Sequence, residues 1–415
     1  MRILYNIAIF LVKLFLPIAA VFNKKLTLFV RGRKSVFTQL ANTFGKDDDI
    51  LWFHAASLGE FEQGRPIIEA CKKQFPKYKF LLTFFSPSGY EVRKDYNTVD
   101  LVTYLPLDTK KNMQRFLKVA HPKMAIIVKY EFWPNLLQQL KKMEIPTLLV
   151  SAIFRKNQIF FKPYGRFMRN SLDAFKHFFV QSDSSKKLLK NIGIQRVTVS
   201  GDTRFDRVFQ ITKEEINLPV LETFTKNKIT VITGSTWPKD EELLINFINE
   251  NKNGNVNFII APHEVNENHV NNIISKISKK AIALSKATIK NVKNHETLVI
   301  DSIGLLSKIY YYGDIAYIGG GFGVGIHNVL EPATFGIPVI IGPNYKKFNE
   351  AAELIAAKAC LVVSNQTELA KTFEHLINNE SDRQNKGKLA ATYVKDKIGA
   401  TQTIMHYIYN SLEEK

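Results

Sequence analysis

The sequence predicts an α/β protein with two Rossmann-like domains, each a parallel sheet with helices on both faces. Three observations favour this fold class. Short apolar runs alternate with amphipathic stretches from residue 50 onward, a pattern typical of a parallel sheet. The alternation is interrupted over 207–228 and then restarts. The chain has 415 residues, which is too long for one ordinary hydrophobic core.

The apolar runs give the candidate strands of each domain. In the first domain they are 50–54, 80–84, 101–104, 124–128, 147–150, 177–180 and 197–200. In the second domain they are 229–233, 258–261, 298–300, 315–318, 339–341 and 361–363. Helical patterns such as 60–74 and 134–142 lie between most of them. We predict a polar linker over 207–228 and a polar helical tail over 383–415.

These patterns divide the chain into four segments. They are a membrane anchor over 1–30, a Rossmann-like domain over 31–210, a second over 211–390 and a C-terminal helix over 391–415. Two successive Rossmann-like domains leave a cleft between them, and ligands of such sheets bind at the carboxyl ends of the strands.

The segment 3–22 is almost entirely apolar and is long enough to cross a hydrocarbon core of ~30 Å as a helix. Lys13 near its middle would cost about 2.5–3.5 kcal/mol in a spanning helix. Basic residues follow it: Lys24, Lys25, Arg31, Arg33 and Lys34. We expect this cluster to stay cytoplasmic and to contact anionic headgroups. A cleaved signal peptide and a buried helix are the alternatives to a membrane anchor.

The charge and the cysteine count narrow the class of protein. The net charge is +19, from 57 basic and 38 acidic residues, which indicates an anionic partner. The basic residues are spread along the whole chain and no nucleic-acid-binding signature is present, so we expect no nucleic acid partner. Only Cys71 and Cys360 are present, which excludes a disulfide framework and a CxxC zinc site.

The glycine-rich stretch 319–343 reads GGGFGVGIHNVLEPATFGIPVIIGP. It predicts a strand followed by a glycine turn, a helix that begins near Asn328 and a second strand over 337–341. Glycines let backbone N–H groups approach a ligand, helix N-termini attract anions, and Glu331 in the first turn can accept two sugar hydroxyls. These features suit a sugar nucleotide, although the spacing does not fit G-x-G-x-x-G. A turn that needs glycine only for packing is the alternative.

Three charged residues follow strands of the first domain. Glu60, within WFHAASLGEFE, lies where a strand ends and a helix begins. It can accept a proton from an attacking hydroxyl, or simply stabilise the helix. Glu131, within KYEFWPN, and Arg204, within GDTRFD, follow two other strands. Arg204 can stabilise a phosphate or carboxylate, or pair with Asp202 or Asp206.

Two segments of the second domain lie where they could contact a nucleotide. His263 follows a strand, and its neighbours Glu267 and His269 do not fit the H-E-x-x-H zinc motif, so we expect no metal. The segment 301–306, DSIGLL, predicts a helix whose first N–H groups meet phosphate or base. No G-x-S-x-G nucleophile turn is present, which disfavours hydrolase chemistry.

Taken together, these blocks resemble the 3-deoxy-D-manno-octulosonic acid (Kdo) transferases of lipopolysaccharide biosynthesis. The resemblance covers nearly the whole chain: the anchor, HAASLGE, EFWPN, GDTRFD, GSTWPKDEELL and HNVLEPATFGIPVIIGP. It implies a GT-B architecture, in which two Rossmann-like domains flank a cleft, the first holding the acceptor and the second CMP-Kdo. It also implies inverting transfer of Kdo to a lipid A precursor (lipid IVA) at the cytoplasmic face of the inner membrane, without metal or other cofactor.

The resemblance further implies roles for individual residues. Glu60 would be the general base that takes the proton from the acceptor's primary hydroxyl. Glu131 and Arg204 would stabilise the transition state. The CMP-binding positions would be Pro262, His263, Ile303, Gly304, Leu305, Asn328, Val329, Leu330 and Glu331.

The chain departs from the family pattern at several points. Many members have Pro-Arg-His where this chain has Pro-His-Glu at 262–264, so we expect His263 or a nearby lysine to replace that arginine. Many have Glu-Thr-Glu where this chain has Lys-Tyr-Glu at 129–131. Many have a GGSL-type start where the glycine turn here reads GGGFGVGIHN. The alternatives are another GT-B glycosyltransferase that uses a UDP- or GDP-sugar, and a lectin-like or scaffold protein without turnover.

Overall fold

The computed structural model describes residues 1–413 and divides the chain into two α/β units. The first unit comprises Met1–Asp206 and the chain from Ile398 onward, and the second comprises Arg207–Lys397. Each unit contains one seven-stranded sheet, and the paired strands run parallel. The predicted fold class of two Rossmann-like α/β halves is therefore confirmed.

The first sheet has the strand order β3-β2-β1-β4-β5-β6-β7, and each of its strands coincides with an apolar run of the sequence. The strands are β1 Ile50–Ala55, β2 Lys79–Phe84, β3 Leu101–Tyr104, β4 Met124–Val128, β5 Thr147–Ala152, β6 His177–Val180 and β7 Val197–Val199. The central strands β1 and β4 are buried along their whole length. Helices cover both faces of such a sheet, which explains why its strands are mostly apolar.

Helices precede, connect and flank the strands of the first unit. They are α1 Arg2–Val21, α2 Lys24–Gly32, α3 Val36–Thr43, α4 Leu58–Gln74, α5 Pro87–Arg93, α6 Lys110–Ala120, α7 Pro134–Lys142, α8 Arg166–Leu172, α9 Asp183–Asn191 and α10 Thr203–Ile211, which runs across the unit boundary. Apolar residues of α3, α6 and α7 form the core on one face, and those of α4 lie in the core on the other.

The second sheet has the strand order β10-β11-β9-β8-β12-β13-β14. Its strands are β8 Ile229–Thr236, β9 Val256–Pro262, β10 Ala281–Ala283, β11 Thr297–Val299, β12 Ile315–Ile318, β13 Val339–Ile341 and β14 Cys360–Val362. The helices are α11 Pro219–Thr225, α12 Pro238–Glu250, α13 Glu267–Lys276, α14 Leu306–Ile309, α15 Leu330–Thr334, α16 Asn349–Ala356, α17 Gln366–Asn378 and α18 Glu380–Lys395. Strand β10 was not predicted, because three residues that follow two lysines carry almost no periodic signal.

The predicted linker over 207–228 is wrong in part, because helices occupy much of it. Helix α10 continues to Ile211, and Pro219 begins α11 at a position where the fixed φ of proline suits a first helical turn. Leu221 and Phe224 of α11 are buried, and the Asn257 side-chain amide donates to the Phe224 carbonyl at 2.5 Å. The polar composition of the segment concealed this packing.

The predicted tail over 383–415 forms two helices rather than one. Helix α18 ends at Lys395, and a second helix, α19, covers Ala400–Glu413 after Gly399, whose φ of +112° interrupts helical geometry. The Asp206 carboxylate accepts the N–H groups of Gly399 at 2.6 Å and Thr401 at 2.7 Å. Apolar residues of α19 complete the core that α4 covers in the first unit. Residues 414 and 415 of the predicted C-terminal helix lie outside the described residues.

Helix α1 has 20 residues and is long and apolar enough to cross a membrane. Large apolar side chains are exposed along it, among them Ile7, Phe10 and Leu14. Arg33, a member of the basic cluster that follows, donates to backbone carbonyls within the first unit. The Arg33 guanidinium donates to the Leu105 carbonyl at 2.9 Å, and burial lowers its pKa to about 9.

Candidate functional site

Glu60 lies at the carboxyl edge of the first sheet, where parallel strands collect the loops that follow them. Strand β1 ends at Ala55, and α4 begins at Leu58, so Glu60 falls in the first turn of the helix, as predicted. The Ser57 hydroxyl donates to Glu60 Oε2. The helix dipole favours a negative charge at this position. The hydrogen bond from Ser57 therefore holds the Glu60 side chain at the mouth of the β1–α4 turn.

Glu131 follows β4, the neighbour of β1, and is only 8% exposed. Its Oε2 accepts the Trp133 indole N–H at 2.6 Å. The same oxygen lies 3.2 Å from Nε2 of His54, which is fully buried on β1. One carboxylate oxygen thus joins strand β1 to the loop that follows the adjacent strand β4.

Arg204 lies in the first turn of α10, after β7. Its Nε and Nη2 atoms lie 2.9 Å and 2.8 Å from Asp202 Oδ2, and its backbone N–H donates to Asp202 Oδ1 at 2.9 Å. The Gln63 side-chain amide also donates to Asp202, at 3.3 Å. Since Gln63 is on α4, the Arg204 loop is tied to the helix that carries Glu60. Of the two aspartates that the sequence offered as partners, Asp202 forms an ion pair with Arg204.

Tyr130 connects these loops electrostatically. The pKa of its hydroxyl is raised, first by burial and further by the carboxylates of Glu60 and Asp202, while Arg155 acts in the opposite direction. The Arg155 guanidinium lies 5.8 Å from the centre of the Tyr130 ring. The residues that neighbour Glu60, Glu131 and Arg204 therefore lie close to one another at one edge of the first sheet.

Three aromatic rings stack at the carboxyl edge of the second sheet. His263 after β9 stacks on both Trp237 after β8 and His327 of the glycine-rich stretch, with ring-centre distances of 4.6 Å and 4.5 Å. The Trp237 and His327 rings lie side by side, with centres 6.4 Å apart. The Trp237 indole N–H donates to His327 Nε2 at 2.9 Å. Burial lowers the pKa of His327, and His263 lowers it further, which keeps Nε2 available as an acceptor. The three rings follow the adjacent strands β9, β8 and β12, and together they form an aromatic platform at the sheet edge.

Asp240 organises the glycine turn beside this platform. Its carboxylate accepts the backbone N–H groups of Trp237 at 2.9 Å and Gly320 at 2.8 Å, and the Tyr317 hydroxyl at 2.7 Å. Gly320 has a φ of +90°, a conformation that glycine adopts without strain. A Cβ on Gly319 would lie 2.4 Å from the Ser235 carbonyl oxygen. Packing alone therefore requires glycine at 319.

Asn328 and Glu331 form the start of α15. Asn328 Oδ1 accepts the Leu330 N–H at 3.1 Å, and its Nδ2 donates to Glu331 Oε1 at 3.0 Å. Glu331 lies in the first turn, as the sequence predicted. The helix covers only Leu330–Thr334, and Val329 and Leu330 are buried. Of the sequence-predicted nucleotide residues in this block, only Asn328 and Glu331 offer side-chain polar groups.

The prediction that a helix begins at Asp301 is wrong. The segment up to Leu305 is a loop, and α14 begins at Leu306 and has four residues. Gly304 has a φ of +91°, which is incompatible with helix, and Ile303 is 89% exposed. The loop follows β11, the neighbour of β9, so it leaves the same sheet edge as Pro262 and His263.

The two histidines of segment 262–269 have different partners. His263 stacks in the platform, whereas His269 on α13 lies 2.9 Å from the Glu241 carboxylate on α12. Burial raises the pKa of Glu241, and the contact with His269 opposes this effect.

Several residues that shape these two edges were not predicted as site residues: His54, Tyr130, Trp237, Asp240 and His327. All five lie within sequence blocks already singled out. His54, Tyr130 and Trp237 lie on or shortly after a strand, whereas Asp240 lies in the first turn of α12 and His327 within the glycine-rich stretch.

Comparison with known proteins identifies relatives over most of the chain. A family model described as 3-deoxy-D-manno-octulosonic-acid transferase (kdotransferase) matches residues 30–207. A 3-deoxy-D-manno-octulosonic acid transferase of Aquifex aeolicus is 30% identical over 336 residues, which cover 79% of this chain and 86% of the relative. One of Haemophilus influenzae is 26% identical, covering 88% and 87% of the two chains.

Solved structures with lower identity share the fold. The UDP-GlcNAc 2-epimerase of Neisseria meningitidis matches with a TM-score of 0.61 at 14% identity, covering 87% of this chain and 100% of its own. MurG of Acinetobacter baumannii matches with a TM-score of 0.55 at 13% identity, covering 88% and 99%. At such identities these likenesses concern the fold alone, and they confirm the expected GT-B architecture.

Proposed function

Because this chain belongs to the 3-deoxy-D-manno-octulosonic acid (Kdo) transferase family, we propose that it moves Kdo from CMP-Kdo to a lipid A precursor, lipid IVA, with inversion at the anomeric carbon. The observation that carries the proposal is the 30% identity over 79% of the chain. The charge of +19 suits a phosphorylated lipid acceptor at an anionic membrane.

In the proposed reaction Glu60 acts as the general base. The acceptor hydroxyl oxygen attacks the anomeric carbon as the bond from that carbon to the CMP phosphate oxygen breaks, and the hydroxyl proton passes to Glu60. The Ser57 hydroxyl holds Oε2, which leaves Oε1 to take the proton. Glu131 and Arg204 orient and stabilise the charge that develops, since both lie in loops that share the edge with Glu60.

The second unit holds the donor in this proposal. His263 is stacked with Trp237, so a cytidine or its phosphate can meet one face of a pre-formed platform. Asn328 and Glu331 supply polar groups for the ribose, and the loop with Ile303, Gly304 and Leu305 lies after the neighbouring strand. Pro262, Val329 and Leu330 shape the backbone that carries these groups.

Nucleotide selectivity is the first expected result. A ligand that binds the folded state stabilises it by about 2.7 kcal/mol at 100 times its Kd. We expect CMP and CTP to raise the melting temperature of the purified protein, and equal concentrations of UDP and GDP to leave it nearly unchanged. Thermal-shift titration measures this. Stabilisation by UDP or GDP alone would favour the alternative of a different sugar nucleotide.

Mass spectrometry tests the reaction itself. Incubation with CMP-Kdo and lipid IVA should yield a lipid whose mass has increased by one or more Kdo units, together with free CMP. An unchanged lipid in the presence of protein that binds CMP would refute this acceptor.

We also propose that α1 holds the protein at the cytoplasmic face of the inner membrane by lying flat in the interface. Its first turns are attached to the first unit, since the Tyr5 hydroxyl donates to Asp108 at 2.7 Å and the Asn135 amide donates to Asn6 at 2.9 Å. The Ala20 carbonyl in the last turn of α1 accepts a hydrogen bond from the Thr27 hydroxyl of α2. Helix α2 is attached to the same unit. Both ends of α1 therefore lie against the protein.

The burial pattern of α1 supports the flat orientation. Partly or fully buried residues recur at Tyr5, Ile9, Leu16 and Ala20, which lie on one side of a helix with 3.6 residues per turn. Lys13 falls beside this stripe, so it need not enter hydrocarbon. The large exposed apolar residues occupy the opposite side: Ile3, Leu4, Ile7, Phe10, Leu11, Leu14, Phe15, Ile18, Val21 and Phe22. Interfacial helices bury such a face about 5–10 Å deep.

A pair of tryptophan probes distinguishes lying flat from spanning. Ile3→Trp and Phe10→Trp place an indole at the end and in the middle of the exposed face. We expect brominated lipids to report nearly equal depths for the two variants in anionic vesicles, because a flat helix keeps both near the headgroup boundary. A spanning helix would place residue 10 near the bilayer centre and residue 3 near a surface. Unequal depths would therefore contradict the flat orientation.

A further inference from the structure

Buried polar side chains lead from the core of the first unit to Glu131. Trp52, Thr83 and His54 are fully buried on β1 and β2. The Trp52 indole nitrogen lies 2.8 Å from Thr83 Oγ1, which lies 2.8 Å from His54 Nδ1. His54 Nε2 lies 3.2 Å from Glu131 Oε2. Four side chains thus form a continuous row of hydrogen bonds that ends at the carboxylate.

The donor groups determine which way the hydrogen bonds of this row point. An indole N–H can only donate, so Thr83 Oγ1 accepts from Trp52 and has its own hydrogen left to give. The nearest acceptor for that hydrogen is His54 Nδ1, because the Phe53 carbonyl oxygen lies farther away, at 3.4 Å. A neutral imidazole that accepts at Nδ1 carries its proton on Nε2. That N–H points to Glu131.

The opposite tautomer fits the surroundings less well. In it, Nδ1–H would donate to the Thr83 carbonyl, which lies 3.1 Å away. The lone pair of Nε2 would then face the Glu131 carboxylate oxygen at 3.2 Å. Charges and lone pairs repel strongly where water is excluded, and His54 is fully buried. The carboxylate and the Thr83 hydroxyl therefore favour the same tautomer.

We propose that His54 is a positioning residue, which holds Glu131 by an Nε2–H hydrogen bond whose tautomer is set by Thr83 and Trp52. With the Trp133 indole, it places two N–H donors on one oxygen of Glu131. The second oxygen of the carboxylate is then oriented toward the reaction. The kinetic consequence rests on the proposed function, whereas the tautomer does not.

Nitrogen NMR tests the tautomer without any substrate. The full-length protein is labelled with ¹⁵N at its nine histidines, and the signals of His54 are identified by their loss in the His54→Gln variant. We expect His54 to carry its proton on Nε2. Thr83→Val removes the hydroxyl but keeps the backbone carbonyl, so its His54 should shift toward the Nδ1-protonated form. An Nδ1-protonated His54 in the unchanged protein would overturn the proposal.

Two amide substitutions test positioning in the reaction. The side-chain nitrogen of Gln can occupy the place of Nε2, whereas the shorter Asn reaches only the place of Nδ1. We expect His54→Asn to lower kcat about tenfold or more, with the KM for CMP-Kdo unchanged, and His54→Gln to restore most of it. Equal kcat values for the two variants would refute positioning. If the unchanged protein transfers no Kdo, the proposed function fails, and the NMR result alone decides the role of His54.

Discussion

Replacing Glu60 by Gln should nearly abolish Kdo transfer while leaving the fold and CMP binding intact. The amide keeps the shape of the carboxylate and can still accept from Ser57, but it cannot take a proton. Positioned general bases contribute about 10²–10⁴-fold to rate, so we expect kcat to fall by about that factor. The measurement is the initial rate of CMP release with lipid IVA, at saturating CMP-Kdo.

Glu62→Gln is the matched control for this substitution. Glu62 lies on the same helix, two residues further on, and pairs with Arg93 at 2.8 Å in a partly exposed position. Exposed ion pairs contribute little to stability, so this variant should transfer Kdo at nearly the normal rate. Activity of Glu60→Gln equal to that of the control would remove Glu60 from the mechanism.

Replacing Asp240 by Ala should have the largest effect on stability in the second unit. The buried carboxylate accepts from Trp237, Gly320 and Tyr317. Each buried donor left without an acceptor costs about 1–3 kcal/mol, so three donors cost at least about 3 kcal/mol. For a unit of this size that corresponds to a fall in melting temperature of about 6–12 °C. The glycine turn would lose its anchor, so CMP binding should weaken as well.

Asp382→Ala controls for the loss of an aspartate from the first turn of a helix. Asp382 on α18 accepts from His375 at 2.9 Å in an exposed position, where such pairs contribute about 0–1 kcal/mol. Calorimetry on both variants, together with CMP titration, makes the comparison. A melting temperature for Asp240→Ala no lower than that of the control would show that the three donors find other partners.

Strands and helices with a repeating apolar pattern could be predicted from the sequence, whereas short elements without such a pattern could not. All seven strands of the first sheet coincide with apolar runs, because strands buried on both faces are mostly apolar. Helix α7 could be placed from Pro134 and the pattern that follows. Strand β10 has three residues directly after two lysines and α14 has four residues, so neither shows a repeating apolar pattern. Helix α11 was missed because its two buried side chains, Leu221 and Phe224, lie in a polar segment.

The candidate site was predictable in position but not in its contacts. Glu60, Glu131 and Arg204 could be placed because the carboxyl ends of parallel strands meet at one edge of a sheet. The partner of Arg204 was among the two aspartates near it in the sequence, and a separation of two residues makes such a pair easy to foresee. The buried support of Glu131 was not foreseen, since His54 lies 77 residues away along the chain.

The sequence by itself determined most of the strands and the longer helices, the family, and the blocks of the chain that carry the candidate residues. These follow from local periodicity and residue type, which can be read along the chain. Only the tertiary structure decided that Trp52, Thr83 and His54 support Glu131, and that Trp237, His263 and His327 stack. The physical reason is that the order of strands in a sheet differs from their order in the chain. Strand order brings together side chains whose hydrogen bonds and ring contacts depend on ångström distances rather than on sequence spacing.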